Sequence, residues 1–161
     1  MTREQQSEIF EVWIAAHAAI LHHAVNAFAS GEDRNDLMQE ILLSIWKAIP
    51  TFRGGSQPST FLYRVSHNAA LSWKRNQAVA KRQIDWLPPS NQPNPALDLL
   101  YEKIRSFPPL DRSLLLLYLD ELSYREIAEI HGISESLVGV RLLRARNRLM
   151  DAMKEDHNGP A

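Results

Sequence analysis

Eleven residues set the main limit on how this chain can fold. From Trp86 to Ala96 the sequence reads WLPPSNQPNPA, which places four of the chain's nine prolines among Ser, Asn and Gln. Proline fixes φ and lacks a backbone N–H, so such a run sustains no helix, and its polar neighbours have little to bury. The segment reads as a flexible linker. It divides the 161 residues into an N-terminal unit, residues 1–85, the linker, residues 86–96, and a C-terminal unit, residues 97–155. The second unit is near the size at which only a minimal helical fold buries enough apolar surface to be stable.

Inside each unit the apolar residues recur at intervals of three and four, the spacing of one helix face. Ile9, Val12, Trp13, Ala16 and Ile20 mark a first helix, and Leu37, Ile41, Leu42, Ile45 and Ile49 a second that Pro50 closes. After the polar loop TFRGGSQPST (51–60), Ser59 or Thr60 can cap a third helix carrying Phe61, Leu62, Val65, Ala69 and Trp73. In the second unit, Leu97, Leu100 and Ile104 predict a helix that ends at Pro108-Pro109, and residues 110–122 predict another. Strand patterns are nearly absent, so the fold class is all-α: two small helical domains joined by a proline-rich linker.

The final segment, SYREIAEIHGISESLVGVRLLRARNRLM, is more specific. Ser123 with Glu126 three residues on forms a capping box, so a helix begins there and runs to about His131. Gly132 permits a sharp turn, and Ser134 caps the next helix with Glu135 at its positive end. Small Ala128 suits a helix crossing and Val138 an anchor, so the pair has helix-turn-helix geometry. In the last helix Val138, Leu142, Ala145 and Leu149 form a core stripe. The opposite side then presents Ser136, Val140, Leu143, Arg144 and Asn147, flanked by Arg141, Arg146 and Arg148. Arg144 has the reach for a bidentate contact to guanine, Val140 suits a thymine methyl, and Ser136 and the flanking arginines suit phosphates.

Charge separates the chain further. The net charge is −1, but residues 1–40 hold seven acids and two bases, and residues 85–161 hold twelve acids and nine bases. Between Ile41 and Ile84 there is no acid at all, while Lys47, Arg53, Arg64, Lys74, Arg75, Lys81 and Arg82 supply seven positive charges. Basic surfaces set in an acidic remainder suit a partner that is a polyanion met at defined places. With no cysteine, disulfides, thiolate metal sites and cysteine nucleophiles are excluded. His17, His22 and His23 lack the spacing and the carboxylate of an HExxH metal site, so no metal ligand set is expected. No apolar run reaches the ~18 residues of a membrane helix, and MTREQQSEIF lacks the order of a signal peptide, so no membrane insertion and a cytoplasmic location are expected.

Taken in order, DLMQEILLSIW (Asp36–Trp46), FRGGSQPSTFLYRVSHNAAL (Phe52–Leu71), the linker, and SYREIAEIHGISESLVGVRLLRARNRL (Ser123–Leu149) resemble the bacterial extracytoplasmic-function (ECF) sigma factors. The resemblance covers nearly the whole chain. It implies a sigma2-like helical bundle and a sigma4-like helix-turn-helix domain. It also implies a non-catalytic subunit without cofactors that directs core RNA polymerase to promoters and promotes open-complex formation. The implied polymerase contacts are Asp36, Gln39, Glu40, Leu43 and Trp46. For the minus-ten element, held as single-stranded non-template DNA, the implied residues are Arg53, Gln57, Ser59, Thr60, Tyr63, Arg64, His67, Asn68, Lys74 and Arg75. That assignment makes chemical sense, because strand capture needs short hydrogen-bonding groups, aromatic surfaces and cations. Phe61 and Trp73 suit the core equally well. The implied minus-thirty-five contacts are Ser136, Val140, Arg141, Arg144, Arg146 and Asn147. The chain departs from the family pattern at Gly139, where Lys or Arg is usual, at Val140, where Ser is usual, and at His67, where Arg is usual. Anti-sigma factors are a further class of partner that the resemblance implies. The competing reading is a helix-turn-helix transcriptional regulator not stably bound to polymerase. One of the response-regulator type would precede the motif with alternating strands and helices, and here the first half reads as helical.

Overall fold

Apolar residues at helical spacing leave the chain one economical way to bury them, and the described residues adopt it. In a computed structural model that describes residues 1–76 and 94–157, every regular element is a helix. The chain divides into two compact units, Met1–Asn91 and Gln92–Ala161. Most of the expected linker lies outside the described residues.

The first unit contains α1 (Arg3–Phe28), α2 (Asp33–Ala48) and α3 (Pro58–Arg75), with a short 3-10 turn at Ile49–Thr51. The three helices pack on one another around Leu21, Leu37, Ile41, Ile45, Ile49 and Leu62, all fully buried. The α2 expectation holds at every position. The α1 expectation holds only in its second half: His17 leaves helical geometry, with φ −128° and ψ 28°, and the kink shifts the phase of the inward face. Ile14, Leu21, Ala24, Val25 and Phe28 fill the core, while Val12 is 60% exposed. The cap of α3 also differs from expectation. Pro58 occupies its first turn, where a fixed φ and a missing N–H fit, and Gln57 is the capping position. Ser59 and Thr60 therefore lie inside the helix. Trp13, Phe52 and Phe61 form an edge-to-face ring cluster with centroids 5.0 to 5.8 Å apart, which fastens the loop after α2 to α1 and α3.

The second unit contains α4 (Pro95–Arg105), α5 (Pro109–Leu119), α6 (Tyr124–His131) and α7 (Glu135–His157). α4 begins inside the segment assigned to the linker, because the Asn94 side chain accepts from the N–H groups of Ala96 and Leu97. Pro109 opens α5 instead of closing α4, and α5 stops at Leu119, three residues before its expected end. There Glu121 takes a left-handed φ of 67°, and the Leu122 N–H donates to the Leu117 carbonyl. Buried Arg112 donates from Nε to the Phe107 carbonyl at 2.6 Å, which fixes the turn between α4 and α5. Burial and the nearby Arg105 charge hold the Arg112 pKa below its usual value.

The core of this unit is Ile104, Leu114, Leu115, Leu117, Ile127, Val138 and Leu142. One polar pair is set into it: buried Ser113 on α5 and His131 at the end of α6 meet at 2.6 Å between Oγ and Nε2. Burial pushes the His131 imidazole down to about 4, so the ring is neutral at pH 7. The unfolded chain protonates the same ring near ~6.5. As pH falls from about 6.5 to about 4 the unfolded state takes up the proton first and stability is lost, on the order of 3 kcal/mol; above that window the contribution is complete. Urea unfolding of the full chain at about pH 7 and about pH 4.5 should show this loss, with a clearly smaller loss in His131→Gln. Equal losses in both proteins would contradict the assignment.

Candidate nucleic-acid interfaces

α7 gains its orientation from its inner stripe. Val138, Leu142, Ala145 and Leu149 are all buried, packed on α4, α5 and α6. The turn before it is built as the sequence demands: Gly132 takes φ 65°, and the Ser134 hydroxyl accepts from the Leu137 N–H at 3.1 Å. With the inner stripe fixed, Ser136, Val140, Leu143, Arg144 and Asn147 face solvent. Val140 is 48% and Leu143 59% exposed, so nothing within the unit covers this side. The four arginines are not equivalent. Arg146 lies 4.6 Å over the Tyr118 ring, Arg148 lies 5.2 Å over the Phe107 ring, and Arg141 donates to Asp111 at 3.1 Å. Arg144 stands exposed at the front.

α3 carries the second basic face. Leu62, Ser66, Ala70 and Trp73 point inward, so Gln57, Arg64, Asn68 and Arg75, spaced by seven, four and seven, share the exposed side. Arg53 and the glycine pair lie exposed in the loop before it, where Gly54 takes φ 75°. Ser59, Thr60 and Lys74 are half-buried. Tyr63 is half-buried with its ring 6.0 Å from that of His67.

A third surface lies between α1 and α2. Ser7, Phe10 and Glu11 from α1, with Gln39, Leu42, Leu43 and Trp46 from α2, wall an open, largely apolar groove of about 680 Å³. Phe10 meets Trp46 edge-on with centroids 5.5 Å apart, and Gln6 Nε2 donates to the Trp46 carbonyl at 2.6 Å. Of its α2 walls, Gln39, Leu43 and Trp46 are among the polymerase contacts that the resemblance implies, and Leu42 belongs to the expected apolar stripe. The α1 half is not among those expectations, although Phe10 falls one position after Ile9 in the expected apolar stripe.

Comparison with known proteins settles the family. The family model Sigma-70 region 2 matches residues 13–79, and Sigma-70, region 4 matches residues 97–149. RNA polymerase sigma factor YlaC of Bacillus subtilis (strain 168) is 27% identical over 163 residues, covering 93% of this chain and 94% of YlaC. The ECF RNA polymerase sigma-E factor of Escherichia coli (strain K12) is 28% identical over 145 residues, covering 78% of this chain and 76% of that protein. The chain belongs to the ECF sigma factors.

Two solved structures share the fold of this sigma factor. One is the sigma factor RpoE in complex with the anti-sigma factor NepR from Bartonella quintana, at TM-score 0.68 and 21% identity over 96% of this chain and 99% of that one. The other is CnrH in complex with the cytosolic domain of CnrY, at TM-score 0.66 and 22% identity over 93% and 90%. An ECF sigma factor directs core RNA polymerase to promoter DNA in transcription initiation, and the two matched regions fall one on each unit.

Two residues that the resemblance assigns to interfaces also have a place in the packing of the first unit. His67 is fully buried, because its place on α3 turns it toward the bundle; its side chain is part of the core and not of the exposed side of α3. Asp36 is half-buried and accepts from the Trp73 indole N–H at 2.8 Å, which ties α2 to α3 across 37 residues of sequence. Phe61 and Trp73 belong to the core. Gly139 is not demanded by packing: a Cβ there would meet the Tyr124 ring at 3.6 Å, an ordinary contact. Gly139→Ala should therefore raise unfolding stability by about 1 kcal/mol, measured by urea melts; a loss of stability would contradict this packing. Asp36→Ala should lower it by about 1 to 3 kcal/mol, because the buried indole N–H loses its acceptor. An Asp36→Ala protein as stable as the parent would show that the residue serves only a partner.

Proposed function

We propose that the three surfaces divide the work of promoter-directed initiation among them. α2, with Gln39, Glu40, Leu43 and Trp46 beside the α1–α2 groove, docks on core RNA polymerase. The α3 face and its loop, with Arg53, Gln57, Ser59, Thr60, Tyr63, Arg64, Asn68, Lys74 and Arg75, hold the minus-ten element as a single non-template strand. The outer side of α7, with Ser136, Val140, Arg144 and Asn147 and with Arg141 and Arg146 on its flanks, reads the minus-thirty-five duplex. The units then correspond to residues 1–85 and 97–155, joined through residues 86–96. The work is done by binding energy and not by bond chemistry, so the chain has no enzymatic activity of its own.

The observation that carries this reading is the contrast between the two basic faces. The α3 face combines cations with half-buried Tyr63 and short hydrogen-bonding groups, which suits unpaired bases and a flexible backbone. The α7 face is a straight helix surface with one forward arginine and apolar Val140 and Leu143, which suits base edges and thymine methyls in a major groove. Anti-sigma control is part of the proposal, supported by the two neighbours of like fold, one solved with the anti-sigma factor NepR and the other with the cytosolic domain of CnrY. No helix among the described residues is long and apolar enough to cross a membrane, and work on polymerase places the protein in the cytoplasm.

Reversing Arg53 and Arg64 to Glu together should abolish promoter-directed transcription in a reconstituted reaction while co-elution with core polymerase persists. Transcript levels equal to those of the parent would refute the α3 assignment. Arg144→Ala should lower the discrimination between promoter and random duplex by about 1 to 3 kcal/mol without changing the unfolding midpoint. Unchanged discrimination would place the readout elsewhere.

A further inference from the structure

Arg141, Arg144, Arg146 and Arg148, four cations within eight residues, would together make a strong phosphate anchor with no sequence preference. The fold treats them unequally. Arg146 and Arg148 rest on the Tyr118 and Phe107 rings, contacts that orient a guanidinium and leave its charge intact. Arg141 is instead held by a carboxylate, its Nη1 3.1 Å from Asp111 Oδ1. Asp111 lies in the first turn of α5, and its side chain is only 17% exposed against 39% for Arg141. The carboxylate thus sits on a packed helix and is the more buried partner, while the guanidinium is the more exposed one, on the flank of α7. A phosphate approaching that flank meets a cation whose charge is already balanced, with a negative group close behind it.

We propose that Asp111 is a brake on sequence-independent DNA binding by the second unit. The inference deepens the reading of α7 as the duplex-facing surface and rests on it. Non-specific affinity is built almost wholly from phosphates neutralised and counterions released, whereas discrimination comes from base contacts. Cancelling one flanking cation lowers the first and leaves the forward Arg144 to supply the second. A sigma factor held back in this way binds DNA weakly alone, and gains affinity when polymerase presents both units to one promoter at once.

The test uses the full chain and a fluorescein-labelled duplex of random sequence, about 30 base pairs long, titrated by anisotropy across a salt series. Asp111→Asn should bind about five- to tenfold more tightly at ~0.1 M salt, with a log–log salt dependence steeper by about 0.9. The double variant Asp111→Asn with Arg141→Ala should return to the parental affinity. Arg141→Ala alone leaves the Asp111 carboxylate unbalanced and should weaken binding about five- to tenfold, a loss that adding Asp111→Asn restores. An Asp111→Asn protein that is folded by circular dichroism yet binds no more tightly would overturn the brake. So would a double variant that binds as weakly as Arg141→Ala. If Arg144→Glu leaves duplex binding by the parent chain unchanged, the α7 reading falls and the brake with it. If Arg144→Glu weakens binding and Asp111→Asn has no effect, only the brake falls.

Discussion

Burial of a four-residue stripe governs the rest of the second unit. Val138, Leu142, Ala145 and Leu149 are spaced by four, three and four, and each lies inside. At 3.6 residues per turn, fixing those four inward fixes every other side chain of α7. Arg144 and Asn147 are sent forward, Arg141 to one flank, against Asp111, and Arg146 to the other, against Tyr118. The same constraint acts on α3, where the inward turn of Leu62, Ser66, Ala70 and Trp73 leaves Gln57, Arg64, Asn68 and Arg75 outside. Neither proposed nucleic-acid face is assembled from distant loops; each is the remainder of a helix once its apolar side is buried.

Charge is then distributed by what each cation touches. A net charge of −1 conceals a first unit whose α3 is free of carboxylates and a second unit whose arginines have different fates. Rings beneath Arg146 and Arg148 give position without neutralisation, and the carboxylate beside Arg141 gives neutralisation along with position. For a subunit that must find promoters in company with polymerase and leave other DNA alone, restrained electrostatics are as useful as strong ones, because the electrostatic share of binding carries no sequence information.

The clearest parts of the sequence were those whose signals are local. The capping box at Ser123 and Glu126, the Gly132 turn, the Ser134 cap and the α7 stripe all lie within a few residues of what they specify, and the structure reproduces them. The all-α class and the family were legible for the same reason. What the sequence hid depends on distant partners or on the backbone. The kink at His17 has no Pro or Gly to announce it, and it moves Val12 out of a stripe in which its spacing placed it. Pro58 displaced Ser59 and Thr60 from the capping position, since a proline at the first turn is as good a start as a hydroxyl before it. The burial of His67, the Asp36–Trp73 bond and the Asp111–Arg141 pair join residues 30 or more apart, or face a core that only packing creates. Polar residues on an amphipathic helix read as surface until their partner is known, and the resemblance that implies external contacts for Asp36 and His67 carries no signal of their packing within the bundle.

The central claim is that these two units give RNA polymerase a promoter choice. Reconstituting the full chain with core polymerase on genomic templates and sequencing the 5′ ends of the transcripts tests it most directly. The account predicts start sites absent with core polymerase alone, preceded at fixed spacing by a shared pair of sequence elements, and lost when Arg53 and Arg64 are reversed. A set of start sites identical with and without the protein would contradict it.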